Sequence, residues 1–224
     1  MRHPTTLTAA PGTVGRMSPR NAPTERRFRG RILGAGSTSG VRFVVGMWDD
    51  SPFGAFTDVF VELPDGSSVL LAPDELVAAY VSGTYRFDAV SVVDISARRT
   101  ARGLELDAGP LVASVDVGTI SPLGRVLRIV PKPIARDWRW LTVIDPVARL
   151  VAPGAGTAGT AGNGRREYYG VTGAHDVTAV HGTWAGEPLG QLAPLDPPVR
   201  FGFASLPKVP QVVDVETTIR EPAL

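Results

Sequence analysis

The sequence predicts a mainly β protein: a large antiparallel sandwich or barrel with one short helix. Three observations predict it. Short runs rich in β-branched and aromatic residues recur along the chain, separated by Gly, Pro and Asp turns. The clearest of these runs alternate apolar and polar residues, the period of a strand covered differently on its two faces. Only one segment carries the punctuation of a helix. Closing so many strands into a barrel would hide the sheet edges and give polar strand faces something to surround.

Residues 1–26 are Thr, Pro, Gly, Ala and Arg without periodicity. Burial cannot offset the chain entropy of such a composition, so a disordered tail is expected there, followed by a single β-rich domain over 27–224. "GAGSTSG" (34–40) reads as a flexible turn between strands. A phosphate loop would need a helix after it, and the strand-like "VRFVVGMW" (41–48) follows instead. In "WDDSPFG", Asp49 and Asp50 read as turn residues before Pro52. "TDVFVEL" (57–63) puts Val59, Val61 and Leu63 on one face and Asp58, Phe60 and Glu62 on the other. "PDG" (64–66) turns the chain, and "SVLLAP" completes a hairpin.

"APDELVAAYVSG" (72–83) predicts the helix, with Pro73 and Asp74 at its start and Gly83 as its stop. Further strands are expected at 90–96, 103–109, 111–118 and 124–130. "RDWRWL" (136–141) would place Trp138 and Trp140 on one strand face. The Gly/Ala-rich 152–164 reads as a flexible loop. In "QVVDVETTI" (211–219), Val213, Val215, Thr217 and Ile219 form one face; Val212, Asp214, Glu216 and Thr218 form the other.

Composition narrows the function classes. Net charge is +1, so there is no global attraction to nucleic acid or to an acidic membrane. There is no cysteine, which excludes disulfides, thiolate metal sites and Cys nucleophiles and suits the cytoplasm. No apolar run approaches the roughly 20 residues that span a bilayer. His175 and His181 would share one strand face, but a metal site wants a third ligand, so no metal and no cofactor are expected. The acidic faces Asp58/Glu62 and Asp214/Glu216 read first as solvated strand faces. Lysine occurs only at positions 132 and 208. Lys132 lies between two prolines after Leu127, Ile129 and Val130, near Arg125 and Arg128. An apolar setting and nearby cations disfavour an ammonium, and a neutral amine can form a Schiff base.

"GRVLRIVPKPIA" (124–135) resembles the "GRE…PKKLA" signature of acetoacetate decarboxylase-like proteins, with Gly124, Arg125, Pro131, Lys132 and Ala135 in register. Pro133 stands where that family has a second lysine, and Val126 where it has a glutamate. "GAFTD" (54–58) is similar to its "GPYxE" segment, which puts Asp58 where the family carries a glutamate. The resemblance implies a large antiparallel β barrel or cone with an internal cavity. It further implies Lys132 and Asp58 as catalytic residues acting on a small oxo-acid. Arg125, Glu62, Trp138 and Trp140 are then expected to bind the substrate. The alternative is a non-catalytic small-molecule binder of the same fold. Neither reading needs nucleic acid or a membrane, and a homo-oligomer stays open.

Overall fold

The computed structural model describes residues 24–151, 156–199, 201–202 and 207–222. In chain order the strands are β1 (Thr24–Ser37), β2 (Arg42–Asp50), β3 (Phe56–Glu62), β4 (Ser68–Ala72), β5 (Ala89–Val92), β6 (Ser96–Arg99), β7 (Gly103–Ala108), β8 (Leu111–Ile120), β9 (Ala158–Thr160), β10 (Arg166–Trp184), β11 (Glu187–Pro188), β12 (Leu192–Ala193) and β13 (Gln211–Glu221). The helices are α1 (Glu75–Ser82), α2 (Pro122–Leu127), α3 (Lys132–Ala135) and α4 (Trp138–Val151). None of the described helices is long and apolar enough to cross a membrane.

One sheet runs β5-β4-β3-β2-β1-β13-β10-β8-β7-β6, with β9 and β11 paired to β10 and β12 paired to β1. Every pairing in it is antiparallel except β4 with β5. The sheet curls. Val59, Val61 and Leu71 from one end of the strand order share a core with Leu104, Leu106, Leu111 and Val115 from the other. The mainly β class is therefore right, and the curl is that of a partly closed barrel.

The period-two alternation sets the layers. Leu33, Phe43, Val45, Val59, Val61 and Val212 point into the shared core. Their sequence neighbours Ile32, Val44, Asp58, Phe60 and Val213 point to the opposite face, where the helices pack. Each fully buried Val, Leu or Phe contributes about 1.5–3 kcal/mol, so a register slip would cost both layers at once.

The β3–β4 hairpin forms with Val61 opposite Val69 and Glu62 opposite Ser68. Helix α1 forms where the punctuation put it: Asp74 caps it, its side chain accepting from Val77 N at 2.8 Å. The chain from 34 to 41 ends β1 at Ser37 and turns at 38–40, with Gly40 at φ +87.

Five expectations need correction. Helix α2 and the turn that follows it at 128–130 replace the strand expected at 124–130, and Trp138 and Trp140 lie on helix α4 rather than on a strand. Ser121 caps α2 by accepting from Gly124 N at 3.0 Å, and Pro122 sits in its first turn, a strong start signal hidden before an apolar run of ambiguous period. Gly124 then lets α2 lie directly on β10: a Cβ there would fall 2.2 Å from the Ala174 carbonyl oxygen. The expected strand at 90–96 splits into β5 and β6. Thr24–Arg26, assigned to the tail, already belong to β1, paired with Ile219–Glu221; positions 1–23 of that tail lie outside the described residues. Of the 152–164 loop, residues 156–164 include β9 and a tight turn at Gly162–Gly164, and 152–155 lie outside the described residues.

Candidate functional site

On the helix-covered face of the sheet lies a cavity of about 370 Å³. Its floor is the inward positions of β1, β2, β3, β10 and β13, including Val213, Val215, Thr217 and Ile219 together. Helices α1, α2 and α4 contribute Tyr80, Leu127 and Trp140 to its other walls. Among the described lining residues there is no Lys, Arg or His. The polar groups are few, and two sets of them carry a carboxyl group.

Asp58 is one of them. It is 3% exposed, and Trp48 Nε1 donates to its Oδ1 at 3.1 Å. Gly46, on β2 opposite Asp58, makes the contact possible: a Cβ there would meet Asp58 Oδ1 at 2.2 Å and Trp48 Nε1 at 2.7 Å. Burial pushes the Asp58 carboxyl up to about 7, against the pull of the Trp48 and backbone hydrogen bonds.

The second polar group is a triangle. Tyr85 Oη lies 2.9 Å from Glu167 Oε1, Tyr169 Oη lies 3.2 Å from Glu167 Oε2, and the two phenol oxygens are 2.8 Å apart. Both tyrosines line the cavity, with Glu167 fully buried behind them. Tyr169 and Glu167 are two apart on β10 and so share a face, while Tyr85 arrives from the segment after α1. Burial raises Glu167 to about 7, opposed by the two tyrosine hydrogen bonds and the positive Arg165. Burial, and then the negative Glu167, push both phenols well above the ordinary range. Beside Tyr169, its direct partner Thr217 on β13 also lines the cavity. Thr217 is 2% exposed, and its hydroxyl has no hydrogen-bond partner among the described residues.

The structure divides the residues singled out in the sequence. Asp58 and Trp140 line the cavity. Glu62 follows Asp58 on the same face but is held by Arg42, whose Nη2 lies 2.7 Å from Glu62 Oε1. Trp138 packs on Tyr168 (ring centroids 6.0 Å apart) and under the Arg220 guanidinium, off the cavity lining. Arg125 and Lys132 are exposed and do not line the cavity. The burial on which amine chemistry at Lys132 depends is therefore absent. Asp214 and Glu216 pair with Arg31 and Arg29 across β1 at 2.8 and 3.3 Å, a charge ladder on the other face of β13. His175 and His181 are both on β10, but two register shifts intervene, and no group of three His, Cys, Asp or Glu among the described residues could hold a metal.

Sequence reasoning missed Trp48, Tyr85, Glu167, Tyr169 and Thr217. "REYYG" held a usable signal, because a strand there puts Glu167 and Tyr169 on one face. Nothing local points to Tyr85, which is 82 positions from Glu167. No known family model matches the chain, and no curated protein matches it.

Proposed function

We propose that the protein binds an uncharged, largely apolar small molecule that carries a carbonyl or hydroxyl group. The observation that carries this reading is the lining: a cavity of about 370 Å³ with apolar and aromatic walls, a carboxyl and three phenols, and no cation among the described lining residues. Its size lies within the range of small-molecule sites, and a few convergent polar groups in an apolar pocket are what fix a ligand's orientation. A carboxylate ligand would lose its hydration without gaining a positive partner, and it would meet Asp58. That argues against the small oxo-acid implied by the decarboxylase resemblance.

The test uses matched ligands of one carbon skeleton: 2-decanone, 1-decanol and decanoate. Thermal shift and native mass spectrometry should register the two neutral compounds and not decanoate at pH 7. Saturation at 100 times Kd stabilises by about 2.7 kcal/mol, which is easily read as a shift in Tm. Preferential stabilisation by decanoate would refute the reading.

A further inference from the structure

The Tyr85–Tyr169–Glu167 triangle sets a count of protons. Two phenols hold two hydroxyl hydrogens, yet three oxygen–oxygen contacts of 2.8 to 3.2 Å close the ring. With an ionised Glu167, both phenols donate to the carboxylate, and the 2.8 Å contact between the phenols is left with no hydrogen in it. With a protonated Glu167 there are three hydrogens for three contacts. The carboxyl then donates to one phenol, that phenol to the other, and the second phenol back to the carboxyl. Only the protonated form makes every contact a hydrogen bond, and burial favours the same form. The cavity wall therefore stores a proton on a chain of groups that can pass it along. Asp58 stands in the same cavity, near enough for its charge to act on the Tyr169 phenol. Its one side-chain hydrogen-bond partner among the described residues is Trp48.

We propose that this cavity is an acid–base site that interconverts a neutral, apolar ketone and its enol, with Asp58 as the base at carbon and the tyrosine pair as the acid at oxygen. The inference rests on the binding reading above and adds chemistry to it. The Asp58 carboxylate takes a proton from the carbon next to the carbonyl. The C–H electron pair becomes the carbon–carbon double bond, and the carbonyl π pair moves to oxygen. That oxygen takes a proton from a phenol turned out of the ring. The phenol is reprotonated along the chain, which leaves Glu167 as carboxylate and Asp58 as acid. Return of the Asp58 proton to the same or a different carbon, with the relay reversed, restores every group and needs no cofactor. Asp58, Tyr85 and Tyr169 touch the substrate; Glu167 acts through the phenols and is a positioning and relay residue. The unpartnered Thr217 hydroxyl beside Tyr169 supplies a further hydrogen bond for the ligand oxygen.

The active protonation state has Asp58 ionised and Glu167 neutral, so the rate should peak near pH 7 and fall on both sides. The groups that act on Glu167 are Tyr85, Tyr169, Arg165 and Tyr80; those that act on Asp58 are the Trp48 indole, its own backbone amide and Tyr169.

The experiment measures deuterium uptake from D₂O at the α carbons of 2-tetralone and 2-decalone by mass spectrometry. Binding of the same ketones is measured separately by native mass spectrometry. Wild type should accelerate exchange over buffer. Asp58→Asn should lower the enzymatic rate by at least about a hundredfold at every pH, the usual scale of a general base. Glu167→Gln should bind as tightly, exchange at least about tenfold more slowly, and lose the decline above pH 7, a change that a purely structural role would not produce. Both variants copy the shape of a neutral acid, so the fold is retained and is checked by circular dichroism. Ketone binding without accelerated exchange, or unchanged exchange in Asp58→Asn, overturns the proposal and leaves the binding reading standing. Absence of ketone binding overturns both.

Discussion

Replacing Glu167 by glutamine keeps the outline of a neutral carboxylic acid: the amide donates to one tyrosine while its carbonyl accepts from the other. What changes is the coupling of stability to pH. In the folded chain Glu167 titrates at about 7 against an ordinary value of 4.5, so between these values the folded state holds a proton that the unfolded state has released. Stability then falls as pH rises, because the slope has the sign of protons bound unfolded minus protons bound folded. Integrated from pH 5 to pH 8 at about 1.4 kcal/mol per unit, the loss assigned to Glu167 is about 2–3 kcal/mol, and it levels off once pH passes the folded value. The glutamine variant lacks this loss. Urea unfolding of wild type and Glu167→Gln at pH 5, 6, 7 and 8 gives the difference directly, with other titrating groups cancelling between the two proteins. The two should be close in stability at pH 5, and the variant should be more stable by about 2–3 kcal/mol at pH 8. A difference that does not change with pH, or one that grows in favour of wild type, would refute a protonated Glu167 and with it the closed ring.

Asp58→Asn should behave in the same way, gaining about 2–3 kcal/mol on wild type between pH 5 and 8, because its carboxyl is raised from 3.8 to about 7 by burial; a pH-independent difference in urea unfolding would count against it. Gly46→Ala drives a methyl group between Trp48 and Asp58, and should cost about 1–3 kcal/mol in the same assay through overpacking and a broken hydrogen bond. Arg42→Leu takes from Glu62 a guanidinium that is itself only 8% exposed, and should destabilise by about 3–5 kcal/mol. Lys132→Ala removes an exposed side chain outside the cavity, and should change stability by less than about 0.5 kcal/mol and leave ketone binding intact; weakened binding would restore Lys132 to the site.

The β3–β4 hairpin, α1 and the two faces of β13 were legible because each is written locally. Alternation declares which residues go together, and Asp74 or "PDG" declares where an element starts or turns. Alternation likewise puts Asp58 and Phe60 on one face of β3 and Val59 and Val61 on the other. Local pattern does not say which of two faces meets a closed core and which a cavity, and both faces of β3 turned out to be covered. The run from 124 to 140 has no decisive period, so docking of α2 on β10 through Gly124 settled its helical state. The acid ring is further from reach. Tyr85, Glu167 and Tyr169 are ordinary residues in sequence, and only the path of the chain from α1 to β10 brings them within hydrogen-bond distance. Desolvation, which raises Glu167 and Asp58 to about 7, belongs to the folded surroundings alone. The sequence by itself thus determined the strand faces, the turns and the apolar character of the walls, since those depend on neighbours a few residues away. The tertiary structure alone decided the enclosure, the partners and the protonation of the polar groups, since those depend on atoms brought together from distant parts of the chain.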